Sequence, residues 1–427
     1  MKKSIVLFTV LFLLLGCTGI SKKSLKNEVK KNIKGNSYSK YDKMKLDNST
    51  KLKGYFFDKS NVVFVFDMSA NKENLEKSLK KDTTISTVSL AGSFNNWKPN
   101  DKWEMSKSTK NNVWFLKKKI TDIAIPGNSG QPEFAFYLEG TYQRKGRSRP
   151  TEAWVKPSDK LEVGYKFNDQ WADMYNYVIL FDGDNKDVIA KNDKISRIIK
   201  SKYISDYEQA NFREVSTGNI KEKTLYRSYH PFIPSRKTDP KKSKQEQLRM
   251  EKVQELMKKN QIKSIINLTD GEEISNDPRI TKFYKTILDE KNVLLAKTKY
   301  SIVYYGSDTE NFKELMKKVV NFIIEKEPPF LIHCRLGSDR TGVVTAVIES
   351  FMGADWGEIS SDYDKTNDVG MGEYRNIKLL KYSLENLYKI KINSLEQKFN
   401  KDGYEYLSKE LGFSDDKINL FYEKLKK

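Results

Sequence analysis

Cysteine and histidine are almost absent from this chain, which has 427 residues and only two of each. Two cysteines cannot build a disulfide framework, so a disulfide-stapled scaffold is excluded and each cysteine needs its own explanation. After the N-terminus no apolar run is long enough to span a bilayer. No internal repeat is visible either, which argues against a solenoid or a propeller.

Acidic residues are outnumbered by basic ones, 57 to 77, which gives a formal net charge of +20. Such a chain attracts anions, for example phosphate esters or lipid headgroups, although a merely solvated basic surface is an equal alternative. No zinc pattern, basic–aromatic repeat or recognition helix is present, so a nucleic-acid partner is not expected. With 38% hydrophobic residues, the length predicts two or three packed domains.

The first cysteine closes an apolar N-terminal run. "MKKSIVLFTVLFLLLGCTG" opens with lysines and is too short for a comfortable membrane span, so residues 1–16 are predicted to be a signal peptide. Its end, "LLGC", resembles a bacterial lipobox, which implies that Cys17 is lipidated; an ordinary signal sequence is the alternative. We therefore expect an extracytoplasmic lipoprotein anchored to a bacterial membrane in the cell envelope, with a flexible tether over residues 17–52.

Residues 53–185 have the pattern of an all-β domain, predicted to be an immunoglobulin-like sandwich. Short aromatic-rich stretches alternate between apolar and polar residues and end at Gly, Asn, Asp or Pro. These stretches are "YFFDKSNVVFVFDM", "TISTVSLAGSFNNW", "NNVWFLKKKI", "PEFAFYLEG" and "MYNYVILFDG". A linker is predicted over residues 186–204.

One phrase in this domain, "VSLAGSFNNWKP" (Val88–Pro99), resembles the family 48 carbohydrate-binding modules, and "FAFYLEG" (Phe134–Gly140) extends the likeness. The resemblance implies a glycan site at Trp97, Asn96 and Tyr142, with the Trp97 indole lying on a sugar ring. As alternatives, the asparagines only make the turn, the domain only packs, or a basic loop binds an anionic polymer. That loop contains Arg144, Lys145, Arg147 and Arg149.

Residues 205–427 change to alternating helical and apolar strand segments, which is typical of an α/β domain. "EQLRMEKVQELMKKNQ" is amphipathic and precedes the buried-type strand "IKSIINL"; later, the strand "PPFLIHC" precedes the helix "TGVVTAVIESFM". In the helix "NFKELMKKVVNFIIEK", one face collects Phe312, Leu315, Met316, Val319, Val320 and Ile323. Cys334 is thus expected at the carboxyl end of a strand, the edge where open α/β sheets bind ligands.

The segment after that strand, "HCRLGSDRTG" (His333–Gly342), has the chemistry of a phosphate site. Five residues between Cys334 and Arg340 can curl so that their N–H groups converge on one anion, helped by the dipole of the next helix. Arg340 can hold two phosphate oxygens. The predicted phosphate-binding residues are Arg335, Leu336, Gly337, Ser338, Asp339 and Arg340, with Gly337 permitting the turn.

The same field predicts a nucleophilic thiolate at Cys334, which attacks phosphorus to give a phosphocysteine. Thr341 can donate a hydrogen bond that eases departure of the thiolate. His333 is expected to fix the loop rather than to transfer protons. The alternative is a structural cysteine buried beside a core histidine.

These residues resemble the Cys-based protein tyrosine and dual-specificity phosphatase superfamily. "DRTG" is similar to a bacterial branch whose loops read Cys-x-x-Gly-Lys-Asp-Arg-Thr-Gly, with Ser338 here in place of the Lys. The likeness extends to "NFREV", "LYRS", "IINL", "DYDKTN" and the C-terminal helices. It implies a tyrosine-phosphatase-like α/β domain over about 215 residues, without a metal or cofactor.

A general acid must protonate the leaving oxygen. In most of the superfamily an Asp before the Cys does so, which fits Asp308 in "YYGSDTENF"; in the similar bacterial branch an Asp within the loop has this role, which fits Asp339. For Asp308 the alternative is a helix N-cap. The sequence does not choose between the two carboxylates.

The predicted function is a secreted, lipid-anchored phosphatase acting on phosphotyrosine, with or without phosphoserine and phosphothreonine. Inositol phosphates or phosphoinositides are alternative substrates that a basic surface suits. A glucan phosphatase is a third version, because a sugar-binding-like domain joined to this catalytic fold resembles laforin. The non-enzyme alternative is a tethered module that only captures phosphorylated ligands.

Overall fold

The computed structural model describes residues 41–109, 111–155, 157, 164–169, 172–181, 205, 209–233, 240–368 and 375–426. Cys17, the predicted signal peptide and the predicted linker (186–204) lie outside these residues. Within the described part of the chain, no helix is both long and apolar enough to cross a membrane.

The N-terminal part of the chain is rich in antiparallel strands. Its helices are α1 (Asn48–Lys53), α2 (Lys72–Ser78) and α3 (Ile120–Ile123). Its strands are β1 (Tyr55–Asp58), β2 (Asn61–Asp67), β3 (Thr84–Gly92), β4 (Ser106–Lys107), β5 (Val113–Lys119), β6 (Glu133–Arg144), β7 (Arg147–Val155), β8 (Gly164–Asp169) and β9 (Ala172–Val178).

These strands form two sheets. One has the order β1-β2-β5-β4 with antiparallel neighbours. The other has the order β3-β6-β9-β8, with β7 beside β6. Alternate residues of β2 and β5, namely Val63, Val65, Val113 and Phe115, pack together with Tyr41, as the two-residue period of a strand requires.

The C-terminal part is an α/β domain. Its strands are β10 (Arg213–Glu214), β11 (Leu225–Ser228), β12 (Ser264–Asn267), β13 (Val293–Leu295) and β14 (Phe330–His333). Its helices are α4 (Pro240–Lys259), α5 (Lys282–Asp289), α6 (Tyr300–Tyr305), α7 (Glu310–Glu325), α8 (Asp339–Phe351), α9 (Trp356–Asp364), α10 (Ile377–Tyr388), α11 (Asn400–Glu405) and α12 (Asp415–Leu425). The expected order, all-β and then α/β, is confirmed.

The C-terminal sheet has the order β10-β11-β14-β12-β13, and all its pairings are parallel except β10 with β11. Alternate residues of the central strand β14 enter different cores. Leu331 packs in one core with residues of α4 and α5, whereas Phe330 and Ile332 pack in another with residues of α7 and α8. The residues of the predicted apolar face of α7 are buried, so that prediction is confirmed.

The chain divides into two compact units whose boundaries cross the β-rich region. The first contains the described residues up to Ser89 together with Asn100–Lys119 and Tyr137–Ala153. The second contains Leu90–Pro99, Ile120–Phe136 and the described residues from Trp154 onwards. Two segments of the β-rich region, together with β8 and β9, therefore belong to the same unit as the α/β domain.

Candidate active site

The loop that carries Cys334 leaves the middle of the C-terminal sheet. β14 lies between β11 and β12, parallel to both, and it ends at His333; α8 begins at Asp339. Residues 334–338 therefore connect the carboxyl end of a central strand to a helix N-terminus, as the sequence predicts. The helix starts two residues before the predicted stretch "TGVVTAVIESFM", because Asp339 and Arg340 already have helical geometry.

Three consecutive carbonyl groups of this loop accept hydrogen bonds from donors in residues 211–230. The contacts are His230 N to Arg335 O at 3.3 Å, Asn211 Nδ2 to Leu336 O at 3.0 Å and Arg227 Nη2 to Gly337 O at 2.8 Å. The C=O and N–H of a peptide point in opposite directions. Fixing these carbonyls on one side therefore turns the amides that follow them to the other side, which is the geometry of an anion-binding nest.

Gly337 is required where the loop passes β11. Its φ is +66°, and a Cβ on this residue would lie 2.3 Å from the carbonyl oxygen of Ser228. Both the left-handed backbone and the close approach exclude a side chain. This conformation agrees with the predicted role of the glycine in the turn, and its part in phosphate binding stays a prediction.

Cys334 lies at the base of the loop, with 1% of its surface exposed. Burial alone would raise the pKa of its thiol, but the positive charge of Arg340, followed by the polar groups of the neighbouring Thr341, brings the pKa below its usual value. The pKa shift favours the thiolate, the reactive form of cysteine. The loop around it contains the exposed Arg335 and the buried Ser338.

Arg340 is fixed at the sheet edge by two backbone carbonyls. Its Nη1 donates to Leu268 O and to Thr298 O, each at 3.1 Å. These acceptors follow β12 and β13, so the ends of two neighbouring strands orient the guanidinium. An arginine held in this way is preorganised to bind an anion through its other N–H groups.

A buried ion cluster supports the loop from the side away from the anion nest. Arg213 Nε donates to Asp362 Oδ1 at 2.7 Å, and Arg227 forms a second ion pair with the same carboxylate. Burial opposes ionisation of Asp362, but the charges of Arg213 and Arg227 outweigh it and hold the pKa of Asp362 far below its usual value. Arg213 also contacts Asn211, so one cluster orients two of the three groups that bind the loop carbonyls.

The two histidines of the chain are adjacent. The rings of His230 and His333 are edge to face, with centroids 4.8 Å apart. Burial lowers the pKa of His333 well below its usual value, and the charge of His230 acts in the same direction. A neutral, buried His333 agrees with the predicted structural role, which stays a prediction.

His230 has a defined tautomer. Its Nδ1 accepts hydrogen bonds from the backbone N–H groups of Phe232 and Ile233, at 3.3 and 3.0 Å, and its Nε2 lies 2.8 Å from Asp270 Oδ2. The proton must therefore reside on Nε2. Sequence reasoning missed His230 and Asp270; the rarity of histidine in the chain was the available indication.

The two candidate acids have different surroundings. Asp339 accepts a hydrogen bond from Arg375 Nε at 2.5 Å and one from Tyr304 Oη at 2.9 Å. Burial would raise the pKa of Asp339, but the charge of Arg375 brings it below its usual value. Arg375 is a further residue that sequence reasoning missed.

Asp308 contacts α10 instead. Its carboxylate, with 36% of the side chain exposed, accepts hydrogen bonds from Asn386 Nδ2 at 2.9 Å and Lys389 Nζ at 2.7 Å. Thr309, not Asp308, is the N-cap of α7, which corrects the N-cap alternative. The structure places Asp339 in the loop and ties Asp308 to α10; the identity of the general acid stays a prediction.

The predicted glycan residues belong to different compact units, Asn96 and Trp97 to the second and Tyr142 to the first. Asn96 and Trp97 both have left-handed backbones, with φ of +56° and +55°, and both are half-buried. Asn95 makes the turn, because its side chain accepts from Gly92 N at 2.8 Å and donates to Leu90 O at 3.0 Å. Tyr142, on β6, is half-buried in the first unit. Glycan binding stays a prediction.

Comparison with known proteins adds one finding. A family model described as "Tyrosine phosphatase family" matches residues 208–427, slightly more than half of the chain and all of the site described above. No curated protein matches the chain.

Among the described residues, no group of three or more His, Cys, Asp and Glu side chains is arranged to hold a metal ion.

Proposed function

The chain belongs to the tyrosine phosphatase family, and from this premise we propose that it hydrolyses phosphate monoesters through a phosphocysteine on Cys334. The observation that carries the proposal is the loop geometry. Three consecutive carbonyls are bound from behind, while Arg340 and Thr341 lower the pKa of the Cys334 thiol. A thiolate beneath converging amides is matched to a phosphoryl dianion.

Each step of the proposed reaction has a group in the loop to support it. The Cys334 thiolate forms an S–P bond while the P–O bond to the leaving group breaks, and the departing oxygen takes a proton from the general acid. Arg340 and the loop amides bind the equatorial oxygens as their charge changes. Water then attacks phosphorus and gives a proton to the carboxylate that served as general acid, while the S–P bond breaks and Thr341 stabilises the departing thiolate.

For the substrate we propose a phosphorylated protein carrying phosphotyrosine, with or without phosphoserine and phosphothreonine. The family description supports this class. Inositol phosphates, phosphoinositides and phosphorylated glucans are the competing substrates, and the net charge of +20 suits polyanions among them. Comparing kcat/KM across phosphopeptides, inositol hexakisphosphate, phosphoinositides and phosphorylated amylopectin decides between these classes; a preference for a non-protein substrate overturns the choice.

We also propose that the protein acts outside the cytoplasm, anchored to a membrane through lipid on Cys17. Support comes from the sequence "LLGC" after an apolar run. Mass spectrometry of the mature N-terminus tests the proposal, because acylation adds a defined mass to Cys17, whereas an unmodified Cys17 contradicts it.

The mechanism predicts that Cys334→Ser abolishes turnover of p-nitrophenyl phosphate in protein lacking residues 1–17. A serine hydroxyl in the same place stays protonated near neutral pH and is a weak nucleophile, so we expect a loss of at least about 10³-fold in kcat. Rapid acid quenching of the unsubstituted protein should trap phosphate on the peptide that contains Cys334. Activity retained in Cys334→Ser, or phosphate trapped elsewhere, contradicts the proposal.

A further inference from the structure

Arg375 is joined to the end of the catalytic loop. Its Nε donates to Asp339 Oδ1 at 2.5 Å and its Nη2 to Asp339 Oδ2 at 3.3 Å, and its side chain is only 8% exposed. Asp339 directly precedes Arg340, whose charge acts on the Cys334 thiol. The position of Arg375 therefore affects the helix start on which Arg340 is mounted.

The backbone of Arg375 is held on one side by Asn367. Asn367 Oδ1 accepts from Arg375 N at 2.9 Å, and Asn367 Nδ2 donates to Arg375 O at 3.0 Å. This pair fixes the peptide of Arg375 but leaves the next residue to be positioned by other contacts, because α10 begins only at Ile377.

That next residue, Asn376, is bound by a turn from the β-rich part of the chain. Asn376 N donates to Asn128 O at 3.1 Å, and its Nδ2 donates to Ser129 O at 3.0 Å. Its Oδ1 accepts from Lys378 N at 2.9 Å and so caps α10. All three polar atoms have partners, which fixes the entry to α10 tightly.

The turn itself, residues 126–133, is stiffened by its own contacts. Gly127 N donates to Gln131 O at 2.7 Å, and Gly130 N donates to Gly127 O at 2.9 Å. The buried carboxylate of Glu133 accepts from Ser129 N at 2.6 Å. Tyr305 Oη donates to Pro126 O at 3.4 Å, a second contact with the α/β domain. The turn is therefore built to hold one shape.

Gly130 allows the 126–133 turn to approach Asn376 closely. Its φ is +81°, and a Cβ on it would lie 2.4 Å from Asn376 Cγ. Glycine is needed both for the left-handed backbone and for the approach of Asn376. A methyl group at this point must displace the side chain of Asn376, the residue that follows Arg375.

We propose that the 126–133 turn positions Arg375, and through it Asp339 and the catalytic loop, so that a segment of the β-rich region sets the turnover of the phosphatase site. The inference rests on the proposed function. Arg375 is a positioning residue in this scheme, since it acts through Asp339. The β-rich region then completes the catalytic site, whether or not it also binds glycan.

A change in the Arg375 contact should be visible in the titration of Asp339. The titratable and charged groups whose fields act on Asp339 or on Arg375 are Tyr300, Tyr304, Tyr305, Tyr363, Arg340, Cys334 and Glu133. Arg375 itself contributes the largest favourable interaction with the Asp339 carboxylate. Moving Arg375 away therefore raises the pKa of Asp339, and the limb of the pH–rate profile that reports Asp339 moves to higher pH.

The test compares Gly130→Ala with Gly146→Ala. Gly146 also has a left-handed backbone, with φ of +72°, but no atom lies within 4 Å of a Cβ built there, so its variant carries the backbone strain without the displacement. We expect kcat for p-nitrophenyl phosphate to fall about tenfold in Gly130→Ala, with KM nearly unchanged and one pH limb moved upward. Gly146→Ala should have the same kcat, KM and pH–rate profile as the unsubstituted protein.

A second variant covers the case in which Gly130→Ala fails to fold. Asn376→Asp keeps the acceptor that caps α10 but replaces the Nδ2 donor by an oxygen facing the Ser129 carbonyl, so it should reproduce the fall in kcat and the pH displacement. Equal kcat and pH profiles in Gly146→Ala and the folded test variants overturn the inference while leaving the proposed function intact. An inactive unsubstituted protein overturns the proposed function instead.

Discussion

At the scale of single residues, Asp308 and Asp339 compete for the role of general acid, and their contacts separate them. Asp339 is the first residue of α8, directly after the loop, and is bonded to Arg375 and Tyr304, whereas Asp308 is bonded to Asn386 of α10 and to Lys389, which follows that helix. The positive neighbours lower the pKa of both carboxyl groups against the effect of burial. A lowered pKa leaves little protonated acid near neutral pH, so esters with poor leaving groups should turn over best under acidic conditions.

From these contacts we predict that Asp339→Asn lowers kcat for an alkyl phosphate by about 10²-fold and removes the fall in kcat on the basic side of its pH profile. Asp308→Asn should stay within about threefold and keep that limb, because its carboxylate serves an exposed ion pair. Steady-state kinetics from pH 4 to 8 check both variants. The reverse pattern would assign the acid to Asp308.

The loop residues could be predicted from sequence because they are contiguous: spacing alone brings Cys334, Gly337 and Arg340 around one point. His230 and Arg375 could not be predicted in the same way. His230 lies more than 100 residues before the loop and reaches it only because β11 pairs with β14. Arg375 lies outside the loop, and its long-range ion pair with Asp339 brings it to the site.

At the scale of secondary-structure elements, β10, β11 and α9 are joined by the Arg213–Asp362–Arg227 cluster. The apolar face of α7 follows from helical periodicity, and the structure confirms it. Hydrophobic periodicity does not predict the ion cluster, because its members are charged residues, which such periodicity places on the surface. Only the packing of α9 beside β10 and β11 encloses these charges.

We predict that Asp362→Asn destabilises the domain by about 3–5 kcal/mol, because it leaves two buried guanidinium groups without a carboxylate. Asp289→Asn, an exposed change at the end of α5, is the matched control and should cost less than about 0.5 kcal/mol. Urea unfolding at pH 7 measures both. The pKa of Asp362 is depressed in the folded state, so its contribution is present above the ordinary Asp pKa and is lost as the pH falls below it. Equal stability of the two variants contradicts this account.

At the scale of the whole molecule, the β-rich and α/β parts are not independent pieces of sequence. The alternation of apolar and polar residues predicts β3 and β6 correctly. It carries no information about which compact unit the segments next to those strands belong to. The structure groups residues 90–99 and 120–136 with the α/β domain. Long-range packing of this kind depends on side-chain fit, as at Gly130 and Asn376, rather than on local propensity.

Glu349 makes the stability of the second unit depend on pH. Its side chain, on α8, is buried and accepts from Thr217 Oγ1 at 2.8 Å. Burial, followed by the negative charge of Asp362, raises the pKa of Glu349 to about 8, although Arg227 and Arg213 act in the opposite direction. Near neutral pH the folded protein therefore holds a proton here that the unfolded chain releases, and stability falls as the pH rises from the ordinary Glu range toward 8.

We predict that Glu349→Gln removes this decline, because the amide keeps an acceptor for Thr217 and stays neutral at every pH. At pH 8 the variant should be more stable than the unsubstituted protein by about 1–3 kcal/mol, and the difference should vanish toward pH 5. Urea unfolding at several pH values measures it, with Glu290→Gln, an exposed change at the C-terminal end of α5, as control. An identical pH dependence in Glu349→Gln and the unsubstituted protein would mean that Glu349 is already ionised in the fold, stabilised by Arg213 and Arg227 beyond the cost of its burial.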